Sequence, residues 1–101
     1  MIAVDKISGI GEYTVETVTT KQKGYTLYKT NDRAFLVVNK NTLEVRTDAK
    51  LGKLLRGKYE SVMESRYFGR GGIEIVDSGQ LSETELEDLV RLSYNLTNEM
   101  E

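Results

Sequence analysis

A run of glycines around one arginine is the stretch of this chain whose composition could bind a phosphate. It reads FGRGG, with glycines at 69, 71 and 72 and Arg70 between them. A P-loop has the spacing G-x-x-x-x-G-K-[ST], and a dinucleotide fingerprint has G-x-G-x-x-G between a strand and a helix. The run has neither spacing. Two interpretations stay open: a hairpin turn whose glycines adopt positive φ, or a mobile basic loop in which Arg66 and Arg70 meet an anion.

Catalytic chemistry has few side chains to use. The chain of 101 residues contains no histidine and no cysteine, so it lacks the imidazole and thiolate groups that serve most often as bases, nucleophiles and zinc ligands. Glu60 and Glu64 could lie close together on a continued helix, but exposed acids near a helix end usually face solvent. The spacing of the acids does not match a calcium loop. We therefore expect a protein that is not an enzyme and that uses no metal and no cofactor.

Six cations are the candidate contacts for an anionic partner. They are Lys50, Lys53, Arg56, Lys58, Arg66 and Arg70. The first four would lie on a short helix, Arg66 would precede the glycine run and Arg70 would lie inside it. Two interpretations of these cations stay open: a solvated surface, or contacts to phosphates. In the second case the affinity for nucleic acid would fall with added salt and show little sequence preference.

Aromatic residues offer a second route to nucleic acid. The chain has six tyrosines and two phenylalanines, and tyrosines on an exposed sheet can stack on bases, particularly with lysine nearby, as in YTLYK. Tyrosine is also favoured in strands for packing alone, with its hydroxyl reaching water. The composition leaves both interpretations open.

Charge is distributed unevenly along the chain. The net charge is −2, but residues 1–76 carry 13 Lys and Arg against 9 Asp and Glu, or +4, whereas residues 77–101 carry one Arg against 7 acids, or −6. Acids in the first turn of a helix complement its dipole, so stability explains much of the acidic end. The sequence pI of about 5.3 is low for a dedicated nucleic-acid domain.

Alternating apolar and polar residues predict four strands in the first half of the chain. The segments are 11–20, 24–30, 33–39 and 42–47, and the connectors TKQKG, TND and NKN have the residues of tight turns. RAFLVVN is apolar on both faces, as in a central strand. In TLEVRT, Leu43 and Val45 should face the core, while Glu44 and Arg46 should face outward. An antiparallel meander is predicted.

Two helices and one more hairpin are predicted after residue 47. Asp48 should cap the first helix, in which Leu51, Leu54, Leu55 and Tyr59 recur at helical spacing, and Gly57 should be the left-handed residue that stops it. Segments 61–68 and 72–77 then form a hairpin.

The final helix has the clearest start signal. Ser82 and Glu85 form the pattern of a capping box, and Leu81 with Leu86 matches a hydrophobic staple. The apolar stripe that should pack on the sheet consists of Leu86, Leu89, Val90, Leu96 and Met100, with Ser93 inside it.

These elements predict a single α+β domain over residues 1–101, with an antiparallel sheet closed by packed helices. The first residues, MIAVDKISGIG, lack the basic end and apolar core of a signal peptide, and the chain contains no apolar run near the ~20 residues that span a bilayer. We expect a cytoplasmic protein with no membrane contact.

Residues 27–96 resemble the MmcQ/YjbR-like family of small bacterial proteins. The residues that carry the resemblance are the strand RAFLVV, the step LEVRTD into the first helix, the end of that helix near Lys58 and Tyr59, and the closing helix ending in Ser93 and Tyr94. Where the family commonly has a segment containing His and Trp, this chain has Gly69 to Glu74.

The resemblance implies a secretion-chaperone-like architecture and a largely uncharacterised family described as double-winged and predicted to bind DNA. We therefore expect a non-catalytic binding domain that contacts nucleic acid or another anionic partner through the six cations. The alternative is a protein-interaction module or homodimer that uses an exposed sheet face or edge strand and has no nucleic-acid role.

Overall fold

A computed structural model describes residues 4, 7, 9–21 and 23–100. Within them lie six strands and two helices. They are β1 (Thr14–Thr19), β2 (Gly24–Thr30), β3 (Arg33–Val38), β4 (Thr42–Arg46), α1 (Ala49–Lys58), β5 (Val62–Ser65), β6 (Gly69–Val76) and α2 (Glu83–Asn98). The predicted α+β class is confirmed.

All six strands form one antiparallel sheet in the order β1-β2-β3-β4-β6-β5. The first four strands are the predicted meander. After β4 the chain runs through α1, and the β5–β6 hairpin then joins the sheet with β6, not β5, beside β4. Strands β1 and β5 are therefore the two edges of the sheet.

Both helices pack on the same face of the sheet. Helix α2 lies mainly over β3 and β4, and α1 lies over β6 and β5. We call this side the helix face and the opposite side the open face. The main core fills the space under the helices and includes Val4, Ile7, Ile10, Phe35, Leu36, Leu43, Val45, Val62, Ile73, Ile75, Leu81, Val90 and Tyr94.

Helix α2 begins as predicted. Ser82 Oγ accepts the Glu85 N–H at 3.1 Å, and Glu85 Oε1 accepts the Ser82 N–H at 3.0 Å, which completes the capping box. The far end of the predicted stripe is wrong: Met100 lies beyond the helix and is 41% exposed. Tyr94 and Thr97 are buried in the last turns instead.

Helix α1 begins at the predicted cap, where Asp48 Oδ1 accepts the Leu51 N–H at 2.7 Å. Its predicted end is wrong, because the helix continues through Gly57 to Lys58 and stops at Tyr59 in an extended conformation. Leu54 is 64% exposed, whereas Gly52 is buried. The helix approaches the sheet closely at Gly52, where an added Cβ would lie 2.9 Å from Thr47 Oγ1.

Two hairpin turns use left-handed backbone. Asn31 and Asp32, with φ of 52° and 63°, form the two-residue connection between β2 and β3 that primed turns require. In the glycine run Gly69 alone has positive φ, at 60°. Gly72 is needed for close approach, since a Cβ there would lie 2.7 Å from Phe68 Cβ. The run is thus part of a hairpin.

Ser93 ties α2 to the centre of the sheet. Its side chain is fully buried; Oγ donates to the Phe35 carbonyl at 2.5 Å and accepts the Arg46 N–H at 2.8 Å. The hydroxyl therefore satisfies two backbone groups, one on β3 and one on β4. Around it Phe35 and Tyr94 pack edge to face, with ring centroids 5.0 Å apart.

Replacing Ser93 by alanine should destabilise the fold by about 1–3 kcal/mol, because it leaves a buried N–H and a buried carbonyl without a partner. Urea unfolding followed by circular dichroism measures the loss. Ser78→Ala, at an exposed serine with one long hydrogen bond, is the matched control and should change little. Equal effects of the two substitutions would contradict the bridging role of Ser93.

Candidate functional site

The outward side of α1 carries a compact basic surface. Lys50, Lys53 and Lys58 are exposed there, together with Leu54 and Gly57. At 100° per residue these five positions fall on one side of the helix, opposite the buried Gly52. We call this set the α1 surface.

Gly57 forms a notch in the α1 surface. Apart from its chain neighbours and the backbone of the helix itself, no atom lies within 4 Å of the position where a Cβ would stand, and the φ of Gly57 is not in the left-handed region. A shallow depression is lined by Lys53, Leu54, Gly57 and Lys58. The fold does not require glycine here, although glycine inside a helix costs up to about 1 kcal/mol relative to alanine.

The charge of the α1 surface is unopposed within the helix. The sequence of α1, AKLGKLLRGK, has four cations and no acid, and the three ion pairs among the described residues lie elsewhere. Arg56 and Lys58 occupy the last turn, where cations complement the negative end of the dipole. The Lys58 ammonium lies 5.2 Å from the centroid of the Tyr59 ring.

The structure divides the six predicted cations. Lys50, Lys53 and Lys58 lie together on the α1 surface. Arg56 is half-buried beside Gly52, where its Nη1 would lie 3.3 Å from an added Cβ. Arg66 and Arg70 belong to the β5–β6 hairpin: Arg70 is exposed at the start of β6, and Arg66 lies on the open face.

On the open face, Arg66 belongs to a buried polar network around two glutamates. Glu44 on β4 and Glu74 on β6 are directly opposite in the register, and each is 2% exposed. Arg66 donates to both oxygens of Glu74, from Nε at 3.0 Å and from Nη2 at 2.7 Å. Thr42 Oγ1 also donates to Glu74, at 2.8 Å.

Glu44 accepts hydrogen bonds from three other groups. Ser65 Oγ and the Tyr67 N–H donate to Oε1 at 2.7 and 2.8 Å, and Asn39 Nδ2 donates to Oε2 at 2.9 Å. Because Ser65 and Tyr67 flank the turn between β5 and β6, the carboxylate holds that turn against the sheet. A buried acid is tolerated only with such partners.

The pKa of Glu74 lies below its usual value for an identifiable reason. Burial alone would raise this pKa, but the hydrogen bonds from Arg66 and Thr42, together with the Arg66 charge, outweigh burial. The same bond raises the pKa of Arg66. Glu74 is therefore a carboxylate at neutral pH. Its partner, Arg66, is one of the six cations predicted as candidate contacts for an anionic partner.

The turn of residues 66–68, which is bonded to Glu44 and Glu74, covers a small apolar cluster on the open face. Phe68 packs against Leu27, Ala34 and Val37, and the Arg46 guanidinium lies 4.7 Å from the Phe68 ring centroid. Tyr67 stays 46% exposed. Beside the turn is a cleft of about 180 Å³, smaller than the ~300–1,000 Å³ usual for ligand pockets. Glu44, which lines this cleft, is bonded to protein groups, so we interpret the network as structural.

The tyrosines are divided between core and surface. Tyr13, Tyr28 and Tyr59 pack against the main core, which contains Tyr94. Tyr25 packs on the open-face cluster. Packing therefore accounts for most of these rings, in agreement with the structural interpretation of strand tyrosines.

Across the described part of the chain, no group of three or more acids has the arrangement of a metal site. No helix among those residues has the length and apolar character that crossing a membrane requires.

Sequence reasoning missed the glutamate pair. Glu44 was predicted to face outward, and it does lie on the face opposite Leu43 and Val45, but the turn of residues 66–68 buries it. The available signal was a single glutamate in each of two strands otherwise rich in β-branched residues, TLEVR and GIEIV. Their pairing depends on β4 lying beside β6, which local patterns do not show.

No protein-family model, no curated protein and no solved structure matches the chain.

Replacing Arg66 by alanine should destabilise the fold at neutral pH by about 1–3 kcal/mol, because the buried Glu74 carboxylate loses its charged donor. Arg70→Ala, at an exposed arginine four residues along the chain, is the matched control and should be near neutral. Urea unfolding measures both variants.

The Arg66 effect should also depend on pH. A depressed pKa in the folded state contributes stability that is present above the ordinary glutamate pKa and is lost as the pH falls through the folded value. The gap between wild type and Arg66→Ala should therefore narrow as the pH falls below the ordinary glutamate range. A gap that stays constant would show that Glu74 is not the group that Arg66 stabilises.

Proposed function

We propose that the chain is a non-catalytic binding domain that contacts the phosphates of a nucleic acid with the α1 surface. The observation that carries the proposal is the notch at Gly57, bordered by Lys53 and Lys58 and not explained by packing. The lysines supply positive charge, and the missing side chain lets another backbone approach the helix closely. A polyanion with regularly spaced charges, such as a nucleic-acid backbone, matches these two features of the α1 surface.

Lysine favours this kind of contact over one that reads bases. An ammonium on a flexible stem acts as a point charge toward phosphate and does not form the planar two-bond contact by which arginine reads guanine. Arg56, the arginine of the helix that carries the α1 surface, is half-buried, and Arg66 is paired with Glu74. We therefore propose binding with little sequence preference and strong dependence on salt.

We also propose kinship with the MmcQ/YjbR-like family and its secretion-chaperone-like architecture. The support is the resemblance over residues 27–96, together with an antiparallel sheet that has both helices on one face. Under this proposal the chain would act in the cytoplasm, where nucleic acid is accessible. The contact surface would differ from the family's His- and Trp-containing segment, since the corresponding residues 69–74 lie in a hairpin strand here.

Titration of fluorescent duplex and single-stranded DNA with the purified protein, at low and moderate salt, tests the proposal. Lys53→Glu should weaken binding about tenfold at low salt and should make the salt dependence shallower, by roughly one unit of slope per lost phosphate contact. Lys40→Glu makes the same charge change at an exposed turn outside α1 and should have a much smaller effect. No binding at tens of micromolar protein in low salt, or equal losses in the two variants, would overturn the proposal.

Gly57→Ala separates the role of the notch in binding from its effect on stability. Because alanine fits the helix without a clash, the variant should be more stable than wild type by about 0.5–1 kcal/mol. It should nevertheless bind DNA more weakly, since the added methyl group fills the notch. Thermal unfolding and the same titration measure the two effects. Unchanged or tighter binding would show that the notch is not a contact.

A further inference from the structure

Strand β1 is an edge strand without the usual protection. Within the part of the chain that the structure describes, β2 is its single partner. Its residues, TVETVT, include no lysine and no proline, and its register with β2 has no bulge. Its one charged side chain, Glu16, is paired with Lys29 of β2 at 2.6 Å. Natural sheets usually blunt such an edge with lysine, proline, a bulge or a covering segment.

Nothing in the described part of the chain covers this edge. Every side chain of β1 is exposed or half-exposed, including Val15 at 54%. The outer backbone groups of the strand are therefore accessible to another strand.

The other edge of the sheet is protected. Strand β5 has four residues, its pairing with β6 is irregular between Glu64 and Ser65, and Glu60 and Glu64 place charge along it. The two edges of the sheet therefore differ in how well they are protected against pairing with another strand. The β1 edge is therefore the one open to a partner strand.

We propose that β1 pairs antiparallel with β1 of a second copy of this chain, so that the two sheets become one. Antiparallel pairing of identical edges requires a two-fold axis perpendicular to the sheet, which keeps the helix faces of both copies on the same side. Because each β1 edge is used once, the contact closes as a dimer and cannot extend into a fibre. The proposal is independent of nucleic-acid binding.

Side-chain alternation restricts the register. Residues directly opposite each other must lie on the same face of the sheet. The two-fold axis keeps each residue on the same face in both copies. The pairing must therefore be centred on one residue, which lies opposite the same residue of the second copy at the axis. Only Glu16 or Thr17 at the axis gives an overlap of five residues within Thr14–Thr19. The Glu16 register sets two carboxylates against each other, which is unfavourable. The Thr17 register therefore remains.

In the Thr17 register no two carboxylates are directly opposite: the two Glu16 side chains are diagonal neighbours on one face, and each is paired with Lys29 of its own chain. Thr17 faces Thr17 of the second copy, a favourable cross-strand pair, and Glu16 faces Val18 of the second copy. Beyond the strand, the acidic start of one copy at Glu12 comes near the basic end of the other at Lys21. Both side chains are exposed in the single chain, so they are accessible for this contact.

Cross-linking through one introduced cysteine tests the register, since the chain has no cysteine of its own. Paired residues across an antiparallel axis have Cα atoms about 4.5–5.5 Å apart, within the range a disulfide spans. Thr17→Cys should therefore oxidise to a covalent dimer at least tenfold faster than Thr14→Cys. In the proposed register the two thiols of the Thr14→Cys variant would be separated by about 20 Å along the strands.

Analytical ultracentrifugation of the wild-type protein, which has no cysteine, tests whether the dimer forms. Wild type should sediment at twice the monomer mass, and Thr17→Lys, which places two ammonium groups at the axis, should sediment as a folded monomer with an unchanged circular dichroism spectrum. A wild-type monomer at the highest soluble concentration would overturn the proposal. So would a dimeric Thr17→Lys variant, or equal cross-linking rates for the two cysteine variants.

Discussion

Placement of both helices on one face of a six-stranded sheet constrains the rest of this structure. The helix face is covered by α1 and α2, which leaves the open face to be covered by the sheet's own connections. The turn of residues 66–68 does this by folding back over β6 and β4, with Phe68 on the apolar cluster. Polar bonds from the turn to Glu44 and Glu74 hold it there, together with the packing of Phe68. The buried acids are thus a consequence of where the helices lie.

The same placement determines which cations are available to a partner. Helix α1 approaches the sheet through Gly52, and this close contact turns Lys50, Lys53 and Lys58 toward solvent. Arg66 lies on the other side of the sheet and is neutralised by Glu74 beneath it. A chain with a net charge of −2 can therefore still present a locally positive surface, since four acids of its last segment lie on α2, whereas α1 carries three exposed lysines and no acid.

Local signals identified most of the fold correctly. The capping box at Ser82, the Asp48 cap and the Asn31–Asp32 turn each depend on a few neighbouring residues, and each was found where the sequence predicted it. The errors were at positions decided by distant contacts. The glycine that packs closely in α1 is Gly52, which lies against Ile73 of β6, whereas Gly57, which resembles a helix stop, is an exposed position inside the helix.

The sequence by itself determined the class of the protein, its alternating strands, the starts of both helices and the basic character of α1, because these follow from periodicity and capping within short segments. Only the tertiary structure decided that β6 lies beside β4, that Glu44 and Glu74 share one buried network and that Arg66 is committed to it. Those facts depend on strands far apart in the chain becoming neighbours. The free energy of such pairings lies in side chains that meet only after folding, so a local pattern does not contain it.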